Sequence, residues 1–185
     1  MTAWAILAEE DRPAWSFEPL RRVGPLEFGM TFDQVQLATS DHLQVAVSQG
    51  DWLAGTGWAR FVLAHRPGPD FYGIALETYF DGPAGLACVA VSALLGPQVT
   101  VDGLRLVGRP LSRVEEEFAD YSLRHRVGLR YTQFADPSSS QLGLVLRAQR
   151  AGDVVLSRPV LVAPAWADSC GDTETRIPDQ EWQTF

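Results

Sequence analysis

Two stretches of the chain, 79 residues apart, share the pattern of a turn followed by a helix. Gly29-Met30-Thr31-Phe32-Asp33-Gln34-Val35 aligns with Gly108-Arg109-Pro110-Leu111-Ser112-Arg113-Val114. At the same offset Gly24 aligns with Gly103, Asp33 with Ser112 and Gln36 with Glu115, so each copy contains a candidate capping box. An internal repeat of this kind predicts two like structural units in one chain.

Hydrophobic spacing predicts one helix in each unit. The first is expected from residue 33 to about 43. The second is expected from 112 to about 124, where Val114, Phe118 and Tyr121 form an apolar stripe at spacings of four and three. Two helices at matching positions are what the repeat requires.

Apolar runs bounded by turn residues predict the strands. The expected strands are 60–65, 74–80, 86–92, 129–135, 142–149 and 154–163, with a glycine-rich loop at 49–58 and an exposed loop at 136–140. Residues 99–107 are expected to be a further extended piece, with the turn Asp102-Gly103 inside it. The order is a helix and then three strands, twice. This order predicts an α+β fold, a tandem of two helix-plus-antiparallel-strand units that share a sheet. The units, about 15–95 and 96–167, form a single domain, 1–185, with a polar, loosely docked tail at 168–185.

The charge of the chain limits its partners. The net charge is −8, and all 15 basic residues are arginine. Nucleic-acid binding depends on clustered basic side chains, so a nucleic-acid partner is not expected. No run approaches the roughly 18 apolar residues of a membrane helix, and acidic Glu9, Glu10 and Asp11 stand where a signal peptide would be apolar. The expected location is the cytoplasm, with no membrane partner.

Catalytic spacings are missing from the sequence. It contains no Gly-x-Ser-x-Gly, His-Glu-x-x-His or Gly-x-Gly-x-x-Gly motif, and the absence of lysine removes every lysine nucleophile. The three histidines are scattered, which predicts no metal site. Cys88 lies within an apolar strand and is expected to be an inert, buried thiol. No cofactor and no catalytic residue are predicted.

Aromatic residues offer a different signal, because tryptophan and tyrosine are common anchors of protein interfaces. Several aromatic residues lie between the first helix and the third strand. The candidate binding residues are Trp52, Trp58, Phe71 and Tyr72. If Trp52, Trp58 and Tyr72 form one exposed patch, the chain recognises another protein there; otherwise they pack in the core or anchor the loop.

The Gly29-Met30-Thr31 turn before a helix that contains Val35, followed by short antiparallel strands, resembles the units of β-lactamase inhibitor protein. It also resembles the outer-membrane assembly lipoproteins that share that fold. In the second copy Gly108 and Val114 match, while Arg109-Pro110 replaces Met-Thr. The resemblance implies a non-enzymatic sheet that binds another protein on its concave face. Those relatives are exported and this chain shows no lipobox or signal peptide, so location and partner are not carried over.

Three functions stay open at this point. The first is a protein-binding module, of the inhibitor or immunity type, whose acidic, aromatic surface suits a basic partner. The second is an assembly or structural domain without a separable activity. The third is a small enzyme or ligand-binding protein with a site between sheet and helices. Its convergent polar residues would be His65, Asp70, Glu77 and Arg105.

Overall fold

A computed structural model describes residues 4–64, 73–172 and 176–183. Within these ranges it contains two α-helices and thirteen β-strands, and the predicted α+β class is confirmed. The first half consists of β1 (Ala14–Glu18), β2 (Arg22–Val23), β3 (Leu26–Glu27), α1 (Phe32–Thr39), β4 (Leu43–Asp51), β5 (Thr56–Leu63), β6 (Leu76–Phe80) and β7 (Leu86–Val91). The second half consists of β8 (Gln98–Val101), β9 (Leu104–Arg105), α2 (Leu111–His125), β10 (Arg130–Tyr131), β11 (Pro137–Ser139), β12 (Leu144–Ala151) and β13 (Val154–Val162).

Most strands form one eight-stranded antiparallel sheet in the order β10-β11-β12-β13-β7-β6-β5-β4. The four strands after α1 and the four after α2 each form a meander, and the meanders meet where β13 pairs with β7. The described strands thus number four after each helix, where the sequence predicted three. Four described strands follow each helix, but three strands precede α1 and two precede α2. The superposition of the two halves stays a prediction.

A smaller sheet has the order β3-β2-β1-β8-β9, with β1 and β8 parallel. The turn between β8 and β9 consists of Asp102 and Gly103, both at positive φ, as the Asp-Gly pair predicted. This sheet and both helices cover one face of the large sheet, called here the inner face, and enclose the main core. The predicted stripe of α2 is confirmed, because Val114, Phe118 and Tyr121 are buried.

The helix starts differ from the predicted capping boxes. Thr31 caps α1: its Oγ1 accepts from the Gln34 amide at 3.4 Å, and the Gln34 side chain accepts from the Thr31 amide at 2.8 Å. Asp33 therefore lies inside the helix. α2 follows Pro110 without any side-chain cap, and Ser112 is its second residue. Proline at this boundary has no N–H to satisfy and a φ suited to a helix start, so α2 begins without a capping hydroxyl.

Two segments predicted as loops are strands. Residues 49–51 and 56–58 belong to the hairpin of β4 and β5, because Gly50 and Gly57 lie opposite each other and let the strands approach closely. Residues Pro137–Ser139 form β11, which is buried although its sequence is polar. Pairing with β12 satisfies its backbone, so the serines can lie inside the protein.

The predicted loosely docked tail is wrong for its described residues. Ile177 and Trp182 are buried against Cys88, Val145 and Val160 on the outer face of the large sheet, the face opposite the helices. From its composition this segment was expected to be exposed to solvent, because it is rich in acidic and amide side chains. On the outer face, however, Arg158 pairs with Glu181, and Arg147 donates to the backbone carbonyls of Glu181 and Trp182. The segment therefore closes a second core.

Candidate protein-binding site

The tip of the β4–β5 hairpin is held in one conformation by its own residues. The Asp51 carboxylate accepts hydrogen bonds from the backbone amides of Leu53 and Ala54, both at 3.1 Å. Gly55 has a φ of +73°, and a Cβ at this position would lie 2.6 Å from the carbonyl oxygen of Gly82. The side-chain turn and the close approach at Gly55 fix the path of the tip.

Trp52 joins the tip to the start of α1. Its ring stacks on Phe32 with centroids 4.3 Å apart, and it meets Phe80 edge to face at 5.5 Å. Phe32 and Phe80 also meet edge to face, at 6.0 Å. Such aromatic contacts each add about 0.5–1.5 kcal/mol beyond area burial. Trp52 therefore holds the hairpin tip against α1 and β6, and only part of its surface is exposed to solvent.

Leu53 has the opposite environment. Its side chain is fully exposed at the tip of the hairpin, between the anchored Trp52 and Ala54. The backbone beneath it is held by Asp51, so the side chain stands on an ordered support. An isolated exposed leucine is ordinary on a protein surface. A leucine on a tip that is braced on both sides is a preorganised apolar anchor.

A recess of about 390 Å³ lies beside Leu53, between the hairpin tip, the start of α1 and the turn before β7. Its walls carry the aromatic rings of Phe32, Trp52 and Phe80 and several glycines. Among the described residues that line it, Asp33 is the one charged residue. The recess thus combines aromatic walls with an acidic edge, and this combination suits a long cationic or amphipathic side chain.

The two predicted binding residues that the structure describes, Trp52 and Trp58, do not lie in one patch. Trp58 packs toward the outer face, beside Tyr79, with the Arg60 guanidinium 5.1 Å from its ring centroid. Trp52 packs toward the inner core, so the sheet separates the two tryptophans. Successive residues of a strand point to opposite faces, and Gly57, next to Trp58, is the residue that Trp52 covers. Phe71 and Tyr72 lie outside the described residues.

The polar residues of the enzyme hypothesis do not converge in the described part of the chain. Glu77 pairs with Arg60 at 3.2 Å on the outer face of the large sheet. Arg105 pairs with Glu9 at 3.3 Å beside the small sheet. His65 and Asp70 lie outside the described residues. The two residues that can be placed therefore belong to separate ion pairs.

Buried charges hold the C-terminal segment on the outer face. Arg158 pairs with Glu181, whose carboxylate also accepts from the Tyr79 hydroxyl. Burial raises the pKa of Glu181, and the charge of Arg158 opposes this rise. Burial, followed by the nearby Glu181 carboxylate, also raises the pKa of Tyr79. These buried charges and the hydroxyl of Tyr79 hold the C-terminal segment against the large sheet.

Arg147 makes the second set of these contacts. Its guanidinium pairs with Asp136 and donates to the backbone carbonyls of Glu181 and Trp182. It also lies over the Trp182 ring, 5.4 Å from the centroid. Sequence reasoning missed this role, although an arginine inside the apolar strand Leu144–Ala151 was a usable signal, because a buried charge needs a partner.

The cysteines are buried, as predicted for Cys88. Burial raises the pKa of the Cys88 thiol well above its ordinary value, and burial raises the pKa of Cys170 to about 12. The described part of the chain brings together no three His, Cys, Asp or Glu side chains that could hold a metal ion. Within the same ranges, no helix has both the length and the apolar character needed to cross a membrane.

Comparisons of this chain with protein-family models, with curated proteins and with solved structures find no match. The site is therefore defined by its geometry alone: an apolar anchor on a braced hairpin, next to a recess with aromatic walls and an acidic edge.

Proposed function

We propose that this chain is a protein-binding module of the inhibitor or immunity type, which binds its partner through the tip of the β4–β5 hairpin. The observation that carries the proposal is the fully exposed Leu53 on a tip braced by Asp51 and Trp52. Because the backbone that carries Leu53 is already held, binding orders little beyond the side chain itself, and more of its burial contributes to affinity. Leu53 is the anchor, and the recess receives a side chain of the partner.

Charge supports a basic partner. The chain has a net charge of −8, and Asp33 at the edge of the recess is exposed. Acidic surfaces raise the association rate with basic partners and lower it with acidic ones, an effect that weakens as salt increases. A basic protein, such as a nuclease or another cationic enzyme, fits this surface in charge.

The recess alone is large enough for a small ligand, since ligand pockets begin at about 300 Å³. A small-molecule site is therefore the second candidate for the same place. Among the described residues that line the recess, Asp33 is the one ionisable side chain. A single such group does not form the acid–base pair that general acid–base catalysis uses. Protein binding uses both the recess and the exposed Leu53, so it accounts for more of the observed geometry.

The test is site-specific photo-crosslinking in a lysate of the native cell. A benzophenone amino acid replaces Leu53 in one sample and Leu123, which is 80% exposed on α2, in the control. We expect one abundant adduct from position 53 that is missing from position 123. With the captured protein purified, Leu53→Asp should weaken binding about 30-fold or more, the size of a hot-spot loss, and Leu123→Asp should leave it unchanged. Equal adducts from both positions, or unchanged affinity of Leu53→Asp, would contradict the proposal.

A further inference from the structure

The edge strands of the two sheets differ greatly in length. The small sheet ends in β3 and β9, and the large sheet ends in β10 on one side; each of these strands has two residues. The other end of the large sheet is β4, which has nine. Short edge strands are one way in which proteins prevent sheet-to-sheet association. Among the edges that the structure describes, β4 is the one without this protection.

Most of β4 also lacks two further protections of an edge strand, charged side chains and proline. Residues 43–50 contain no charged side chain and no proline, and the first charge is Asp51 at the end of the strand. A bulge interrupts the register between Val45 and Val47, but pairing with β5 is regular from Val47 to Asp51. Most of the strand is exposed, and Val47 is 42% exposed. On the side away from β5, the amides and carbonyls of alternate residues face outward without a described strand beside them.

We propose that β4 is a self-association surface, at which a second copy of this chain pairs antiparallel with β4 and continues the large sheet across a two-fold axis. Antiparallel pairing of a strand with its own copy is symmetric by geometry, so the same residues are used on both sides. The hydrogen bonds satisfy the outward amides and carbonyls, and side chains such as Val47 lose their exposure.

Charge does not oppose a second copy at this place, as it does elsewhere on the surface. Two chains that each carry −8 repel across most of their surfaces. Residues 43–50 of β4 carry no charge, so two copies that pair along this part of the strand bring no acidic side chains opposite each other. The inference is independent of the proposed function, because Leu53 lies beyond the end of β4 and each copy keeps its own tip.

The first measurement is sedimentation velocity of the full chain from micromolar to millimolar concentration. We expect a concentration-dependent shift from 20.3 kDa to twice that mass. The double variant Val47→Lys/Ser48→Lys places two positive charges on β4 and should remain monomeric over the whole range. The matched control is Val154→Lys/Val155→Lys on β13, where Val155 is 41% exposed and the added charge is the same. This control should dimerise as the original chain does.

A second measurement needs no variant and therefore does not depend on how the variants fold. Amide hydrogen exchange of the original chain is compared at low and high concentration. We expect the outward amides of β4 to slow at least severalfold at high concentration, with no change in β10. A chain that stays monomeric at millimolar concentration overturns the proposal. So does a dimer that persists in Val47→Lys/Ser48→Lys, or one in which β4 exchange is independent of concentration.

Discussion

The rings of Phe32 and Trp52 stack with their centroids 4.3 Å apart and their planes 17° from parallel. This contact connects the first residue of α1 to the tip of the β4–β5 hairpin. It explains why the tip can present Leu53 to solvent and still have a defined position. Two adjacent residues therefore have different roles: Trp52 stabilises the fold, and Leu53 remains available for a partner.

Replacing these two residues should affect stability very differently. Trp52→Ala removes the stack on Phe32 and the contact with Phe80, and should lower the free energy of unfolding by about 2–4 kcal/mol, less than a fully buried tryptophan. Leu53→Ala removes only exposed surface and should change it by about 0.5 kcal/mol or less. Urea unfolding followed by fluorescence measures both. Equal losses would show that Leu53 also packs within the protein.

The two helix starts provide a second test. Thr31→Ala should destabilise the protein by about 1 kcal/mol, because the Gln34 amide loses its acceptor in the capping box. Ser112→Ala should have little effect, because no side chain caps α2 and Ser112 is exposed within its first turn. Thermal unfolding of the two variants beside the original chain is sufficient. A larger loss for Ser112→Ala than for Thr31→Ala would contradict both assignments.

Burial should separate two ion pairs that look alike in sequence. Asp136→Asn preserves shape but leaves the buried Arg147 without its counter-charge, so a loss of about 3–5 kcal/mol is expected. Glu117→Gln disturbs the pair with Arg109, in which the Glu117 side chain is 41% exposed, and should lose about 1 kcal/mol or less. Chemical unfolding at neutral pH measures the difference. Similar losses for the two variants would mean that Arg147 finds another partner or water.

The thiols should be unreactive in the folded protein. Cys88 and Cys170 are both buried, so neither should react with an aromatic disulfide reagent at pH 8 until urea unfolds the chain. The pKa of Cys170 is raised by burial from 9.0 to about 12, so the folded state favours the neutral thiol. Its contribution to stability is complete below pH 9.0 and is lost as pH rises toward 12. In Cys170→Ala this alkaline loss should be smaller; fast labelling of either native thiol would contradict the burial.

The sequence by itself determined the elements whose signals are local. The stripe of Val114, Phe118 and Tyr121 predicted α2, because a helix with this spacing must bury one face whatever surface covers it. The Asp102-Gly103 turn predicted the hairpin of β8 and β9, because the conformation of a two-residue turn depends on those two residues. The class of fold follows from such elements taken in order.

Tertiary structure alone decided which surfaces meet. Tyr79 and Glu181 are 102 residues apart in the chain, and the Tyr79 hydroxyl donates a hydrogen bond to the Glu181 carboxylate on the outer face. Contacts of this kind bury part of the acidic C-terminal segment, which its composition alone would place in solvent. Likewise, the sheet separates Trp52 from Trp58 and leaves Leu53 exposed, although the three lie within one glycine-rich stretch. The physical reason is that burial depends on the surface opposite a side chain. That surface comes from distant parts of the chain, and a local pattern carries no information about it.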